Sequence, residues 1–209
     1  DCNIYRAPYG QLPNMNSANP NRDCVFVWNG TTSGVRVPNA DWISNNRTGL
    51  TICDATSAVF SHRLPWEKLD VVTYSWQKAL GGEAGFGMLL LGPRAIERLE
   101  SFTPSWPIPK IFRIAKKNKL IEGIFRGETI NTVSMLAIED VLDALIWVDS
   151  IGGVNGMIQR AEANYTVVNN WVKRTPWIEF LANNSEIRSR STNCLTITDQ
   201  WFMSFNEKM

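Results

Sequence analysis

The chain has 209 residues, a formal net charge of +1 and 44% hydrophobic residues, as expected for a globular protein with a sizeable core. This near-neutral charge and the lack of a long apolar run favour neither nucleic acid nor a membrane as a partner. Three of the four cysteines, Cys2, Cys24 and Cys53, lie in or beside apolar runs, which predicts reduced, buried thiols and a cytoplasmic protein. The single histidine, His62, lies in a predicted turn, so we predict neither a metal site nor a histidine-based catalytic triad.

Short apolar runs in the first half of the chain predict strands at residues 1–6, 24–28, 50–53, 71–76 and 86–91, followed by a short helix that begins at Pro93. Polar residues follow three of these runs: a hydroxyl-rich loop at residues 29–34, then Asp54, then Gln77 and Lys78. In open α/β sheets, ligands bind beyond the carboxyl ends of the strands. The pattern therefore predicts an α/β fold with a mostly parallel sheet, flanking helices and a site at one edge.

The second half of the chain contains two predicted helices and one predicted strand. The basic stretch at residues 113–119 is interpreted as a solvated helix face. Apolar residues at helical spacing predict a core-packing helix over residues 135–148, and a second helix runs from about residue 154 to residue 173. Residues 194–198 are predicted to form the first strand of a new subdomain.

Lys78 is an unusual residue to find after a buried strand, because an unpaired ammonium is costly to bury. Lys78 is therefore either the first exposed residue of a loop or a lysine whose amine takes part in catalysis. A lysine that forms a Schiff base needs an accessible amine, and a pyridine cofactor needs a carboxylate beside its ring nitrogen. Asp54 could supply that carboxylate, although a structural salt bridge between Asp54 and Lys78 would explain the same spacing.

Four segments, at residues 29–34, 53–57, 75–78 and 131–132, resemble in order and spacing the phosphoserine aminotransferases, a family of the class V pyridoxal-phosphate-dependent aminotransferases. The resemblance implies the large domain of aminotransferase fold type I and pyridoxal 5'-phosphate as the cofactor. It also implies that Lys78 is the Schiff-base lysine, that Asp54 is the partner of the pyridinium nitrogen, and that Thr31 donates toward the ring's phenolic oxygen.

The same resemblance assigns contacts to the cofactor phosphate. Gln77 would contact that phosphate, while Asn131 and Thr132 would reach the phosphate of the other subunit's cofactor, which implies a homodimer. Residues 1–150 would form part of the large cofactor-binding domain, and residues 151–209 a linking helix and the beginning of a small C-terminal domain. The arginines that bind the substrate in this family are expected to lie outside this chain.

The implied reaction is the transfer of an amino group between glutamate and 3-phosphohydroxypyruvate in serine biosynthesis. One alternative is another class V aminotransferase or a desulfurase, but a desulfurase needs a reactive cysteine on a mobile loop, and none of the four is placed for that role. A second alternative is a catalytically inactive, truncated α/β module. The glycines at residues 81–87 and 30–34 match neither a dinucleotide fingerprint nor a nucleotide P-loop.

Overall fold

A computed structural model of the chain describes residues 2–206. The strands are β1 (Cys24–Val27), β2 (Asn29–Gly30), β3 (Val35–Arg36), β4 (Thr51–Asp54), β5 (Val71–Ser75), β6 (Gly87–Leu91), β7 (Ala115–Lys116), β8 (Lys119–Leu120), β9 (Ile178–Phe180) and β10 (Leu195–Ile197). The helices are α1 (Pro93–Ser101), α2 (Met135–Ser150), α3 (Gly153–Lys173) and α4 (Gln200–Asn206), with short 3-10 turns at Met15–Ser17, Trp66–Lys68, Lys110–Phe112 and Glu122–Arg126.

The central sheet has four strands in the order β1-β4-β5-β6. Strands β1, β4 and β5 are parallel, and β6 returns antiparallel to β5. This arrangement confirms the predicted mostly parallel sheet and four of the five predicted strands. The fifth is wrong: residues 2–6 form no strand, and Asp1 lies outside the described residues.

One buried carboxylate fixes the amino-terminal ends of these strands. Asp70 accepts hydrogen bonds from the Thr51 backbone N–H at 2.8 Å and from the Thr51 hydroxyl at 3.0 Å, and it pairs with Arg47 at 3.1 Å and Arg94 at 2.9 Å. Burial alone would raise the pKa of Asp70, but the Thr51 hydrogen bonds and the two arginine charges lower it overall. The network joins β4, β5 and α1, so it sets the register that aligns the opposite, carboxyl ends.

The hydrophobic core lies against one face of this sheet. Its buried members come from the strands and from the loops that follow them: Trp28, Val37, Ala40, Ile43, Cys53, Ala55, Ala58, Leu69 and Val72. The loops after β1 and β4 are therefore anchored by their own buried residues, which holds the polar residues beside them in fixed positions.

Helix α2 begins after Ser134, whose hydroxyl accepts a hydrogen bond from the Ala137 N–H at 3.3 Å. The prediction of a core-packing helix is confirmed only in part. Val141 and Val148 are buried, whereas Leu136 and Ile146 are each 70% exposed. The apolar positions of this helix extend around more of its circumference than one packing face can cover.

Two further predictions are wrong. The basic stretch forms no helix: β7 and β8 make a hairpin whose turn residues, Lys117 and Asn118, have φ values of 51° and 57°. The strand at residues 194–198 is not the first of its sheet: β10 is the second strand of a two-stranded sheet, because β9 precedes it and pairs with it antiparallel. Within residues 2–206 no single helix is long and apolar enough to cross a membrane. Helices α2 and α3 reach that length and apolar character only when taken together, and the chain bends by 85° at their junction.

Candidate functional site

The carboxyl ends of β1, β4 and β5 meet at one edge of the sheet. The pairing registers place Val27 opposite Asp54 and Asp54 opposite Thr73, so Asp54 ends the middle strand of the three. Strand β5 continues two residues beyond Thr73 to Ser75, and Lys78 follows it in the turn after its carboxyl end. This edge is where parallel α/β sheets bind their ligands.

The Asp54 carboxylate is half-buried and oriented by its own loop. Its Oδ1 accepts a hydrogen bond from the Thr56 N–H at 2.9 Å, and its backbone carbonyl accepts one from Trp28 at 2.9 Å. Within residues 2–206 Asp54 forms no ion pair, with Lys78 or with any other cation. The structural salt bridge considered above is therefore not formed, and the remaining capacity of the carboxylate is available to a ligand.

Thr31 lies at the turn between β2 and β3, with its hydroxyl against the loop that follows Asp54. Its Oγ1 is 3.3 Å from the Ser57 hydroxyl, and the Ser57 carbonyl accepts a hydrogen bond from Ser191 at 3.0 Å. Sequence reasoning did not single out Ser57 or Ser191. The Asp-x-x-Ser spacing could have indicated Ser57, whereas no local pattern indicates Ser191, which lies 134 residues further along the chain.

Gln77 and Lys78 occupy the start of the turn after β5. Gln77 is half-buried, and one atom of its side-chain amide, Oε1, is buried with no hydrogen-bond partner in the described part of the chain. The Ser75 hydroxyl is orphaned in the same way. Lys78 is exposed, and its backbone carbonyl accepts a hydrogen bond from the Gly81 N–H at 3.0 Å, which closes the turn.

The structure does not bring Asn131 and Thr132 to the other four predicted site residues. Both are exposed, between the 3-10 turn Glu122–Arg126 and α2. Over residues 2–206 neither side chain makes a hydrogen bond with Thr31, Asp54, Gln77 or Lys78. An exposed position is what a contact to a second subunit requires, and that assignment stays a prediction.

The residues at this edge fit pyridoxal phosphate. Asp54 offers a carboxylate with free capacity, Thr31 a hydroxyl, and Lys78 an exposed primary amine. Gln77 offers an amide whose Nε2 can donate to a phosphate oxygen, whereas its buried Oε1, which has no partner in the described part of the chain, can only accept. A carboxylate, a hydroxyl, an amide and an amine are the groups that a pyridine ring with a phosphate and a carbonyl needs.

The predicted turn at His62 is confirmed, and the ring is buried within it. His62 is 5% exposed, and its Nδ1 lies 2.9 Å from the Ser61 hydroxyl. Burial, and after it the charge of Arg36, lowers the pKa of His62 to about 4. The imidazole is therefore neutral at neutral pH and unsuited to proton transfer there.

The four cysteines are free, but the prediction that Cys2, Cys24 and Cys53 are all buried is wrong for Cys2, which is exposed, while Cys24 is half-buried. Cys194, which the sequence did not connect with the site, donates to the Thr31 carbonyl with its Sγ at 3.2 Å. Burial raises the pKa of this thiol, whereas a nucleophilic cysteine needs a lowered one. The position of the Cys194 thiol beside Thr31 therefore does not favour a desulfurase.

Comparisons with known proteins show what the chain is similar to. No family model matches the chain. Over 197 residues, covering 94% of this chain and 53% of the relative, it is 55% identical to phosphoserine aminotransferase of Methanosarcina barkeri. The chain thus spans about half the length of the curated relatives it matches.

Solved structures resemble the fold. A phosphoserine aminotransferase from Cytophaga hutchinsonii superposes with a TM-score of 0.72 at 22% identity, over 88% of this chain and 52% of that one. A pyridoxal-phosphate-bound phosphoserine aminotransferase from Trichomonas vaginalis superposes with a TM-score of 0.61 at 20% identity. The match covers 79% of this chain and 42% of that one. At these identities the likeness shows the fold, and it confirms the predicted fold type I of aminotransferases.

Proposed function

This chain belongs to the phosphoserine aminotransferase family, and from that premise we propose that it forms the lysine-bearing part of a pyridoxal-phosphate-dependent transaminase. The proposed reaction transfers an amino group between glutamate and 3-phosphohydroxypyruvate, in serine biosynthesis. The observation that carries the proposal is the position of Asp54 at the carboxyl end of β4 and of Lys78 after that of the neighbouring parallel strand β5, in a chain 55% identical to a phosphoserine aminotransferase.

Two residues carry the chemistry in this proposal. When bound, the cofactor supplies an electron sink for the carbanion that forms when an amino acid loses its α-proton. Asp54 holds the proton on the ring nitrogen, and the Thr56 N–H keeps its carboxylate oriented for that task. Lys78 would hold the cofactor through its amine, and the free amine would carry the proton between the α-carbon of the amino acid and the cofactor's C4′ carbon.

The other proposed contacts orient the cofactor. Thr31, held against Ser57, donates toward the ring's phenolic oxygen, and Gln77 donates to the phosphate. Asn131 and Thr132 contact the phosphate of a second subunit's cofactor in a homodimer. Their exposure supports this assignment, because a side chain already buried within its own subunit could not reach another.

We also propose the domain division and the location. Residues 1–150 form part of the large domain, and residues 151–209, of which 207–209 lie outside the described part, form the linking helix and the start of a small domain. The antiparallel pair of β9 and β10, separate from the central sheet, supports that boundary. A cytoplasmic location is supported by four cysteines that form no disulfide.

Covalent trapping tests the proposal directly. Pyridoxal phosphate is added to the chain, borohydride reduces the resulting bond, and peptide mass spectrometry locates the label. We expect label on Lys78 and none in Lys78→Ala, whereas Lys116→Ala, an exposed lysine of the β7–β8 hairpin, keeps it. Full phosphoserine formation by Lys78→Ala in the complete protein would refute the mechanism.

A second candidate, an inactive module that folds with a partner, is favoured by one observation. Large apolar side chains are exposed on the sheet edge and on α2: Val25 is 76% exposed, and Leu136 and Ile146 are each 70% exposed. Sedimentation separates the two candidates. Concentration-dependent association without cofactor capture would support the module, and capture at Lys78 would support the enzyme.

A further inference from the structure

The loop that carries Lys78 is closed at its base by two aromatic rings. Strands β5 and β6 pair as far as Ser75 opposite Gly87, so residues 76–86 form the whole connection between them. Trp76 and Phe86, the first and last residues of that connection, stack with ring centroids 4.8 Å apart and an angle of 3° between their planes. The stack therefore continues the strand pairing for one further pair of residues.

The backbone on both sides of Lys78 is tied to the same base. The Gly82 N–H donates to the Trp76 carbonyl at 3.0 Å, and the Gly81 N–H donates to the Lys78 carbonyl at 3.0 Å. A Cβ on Gly82 would lie 3.1 Å from the Trp76 Cβ, so the chain passes close against this tryptophan. The lysine backbone is thus held between Trp76 and the returning glycines.

The side chain of Lys78 and the far end of the loop are not held in this way. Lys78 is exposed, and the described residues offer its amine neither a hydrogen bond nor an ion pair. Gly81 and Gly85 have φ values of 71° and 94°, and a Cβ on either would meet no atom within 4 Å. Trp76, by contrast, is only 9% exposed, so the tryptophan is the rigid point from which the lysine projects.

We propose that the Trp76–Phe86 stack positions Lys78 for its chemistry. Phe86 acts on the lysine indirectly: it fixes the Trp76 ring, Trp76 fixes the backbone two residues before Lys78, and that backbone sets where the amine reaches. Phe86 is accordingly a positioning residue. This inference rests on the proposed function, because it assumes that the Lys78 amine is the reacting group.

Two substitutions at Phe86 separate positioning from simple packing. Phe86→Leu keeps an apolar side chain but removes the ring, while Phe86→Tyr keeps the ring, and its added hydroxyl can reach solvent because Phe86 is half-buried. In the complete protein carrying Phe86→Leu we expect kcat to fall by about tenfold to a hundredfold with KM changed less than about twofold, the effect of a misplaced catalytic group. Phe86→Tyr should restore wild-type values.

A second measurement needs no cofactor. Amide hydrogen exchange of residues 77–85 should be about tenfold faster in Phe86→Leu than in the wild type or in Phe86→Tyr, because opening of the loop no longer breaks the stack. Global unfolding in urea should become more favourable by no more than the same factor of about ten, because the stack is absent from the unfolded chain as it is from the open loop. Unchanged exchange and kcat in Phe86→Leu, or equal losses in both variants, would overturn the inference. Failure of the wild type itself to capture pyridoxal phosphate at Lys78 would instead refute the proposed function, and this inference with it.

Discussion

Replacing the single histidine should remove a pH dependence from the stability of this protein. His62 is buried, and its Nε2 has no hydrogen-bond partner within residues 2–206. Burial, with the positive charge of Arg36, lowers the pKa of the imidazole to about 4 in the folded chain. In the unfolded chain the pKa has its ordinary value of about 6.5.

The sign and size of the effect follow from this difference. Between about pH 6.5 and about pH 4 the unfolded chain binds a proton that the folded chain excludes, so the free energy of unfolding falls as the pH falls. Proton linkage gives a loss of about 2 kcal/mol between about pH 7.5 and about pH 5. The loss reaches about 3 kcal/mol below about pH 4, where the folded chain also binds the proton.

Urea unfolding at several pH values measures the effect. Between about pH 7.5 and about pH 5, the wild type should lose about 2 kcal/mol more than His62→Gln, which does not titrate. Arg63→Gln, at the exposed neighbouring position, should follow the wild type. Because the chain has one histidine, its imidazole proton resonance also reports the pKa without interference from any other. Parallel stability curves for wild type and His62→Gln, or a resonance midpoint near the ordinary pKa, would refute the reasoning.

Two further substitutions test the fold. Asp70→Asn should cost about 3–5 kcal/mol in urea unfolding, because it leaves buried arginine charge uncompensated, whereas Arg98→Gln, in an exposed pair, should cost less than about 1 kcal/mol. Equal losses would contradict the structural role of the buried network. Gly10→Ala should cost more than Gly127→Ala by thermal denaturation: both glycines have positive φ, but only at Gly10 would a Cβ overlap the Leu181 carbonyl. Equal melting temperatures would show that the contact relaxes freely.

The strands of the central sheet could be predicted because each is a short apolar run with its own boundary. Asp54 and Lys78 could be placed at one edge for the same reason, since parallel strands present their carboxyl ends together. The β7–β8 hairpin could not be predicted in this way, because a run of charged residues is equally typical of an exposed helix, and the positive φ values of Lys117 and Asn118 are visible only in the structure. The exposure of apolar residues on α2 could not be predicted either, because an apolar residue does not indicate by itself whether another part of the protein covers it.

The contacts between distant segments explain why part of the candidate site was missed. Three backbone groups of the β2–β3 turn bond to one C-terminal segment: Arg36 N–H donates to Ile187 at 2.7 Å, Ser189 N–H donates to Gly34 at 2.9 Å, and the Thr31 carbonyl accepts from the Cys194 thiol at 3.2 Å. No pattern within either segment encodes this pairing, because it forms only when the two are folded against each other.

The position of the Thr31 hydroxyl is consequently fixed by the C-terminal segment as well as by the strands of the sheet. Asp54 and Lys78 leave their strands at positions that the ladder between β4 and β5 fixes, but Thr31 and Ser57 are held from the C-terminal side, Ser57 by the Ser191 hydroxyl at 3.0 Å. Movement of that segment would shift both hydroxyls while the carboxylate and the amine stayed in place. The segment that supports these hydroxyls therefore belongs to the candidate site as much as the strands that present Asp54 and Lys78.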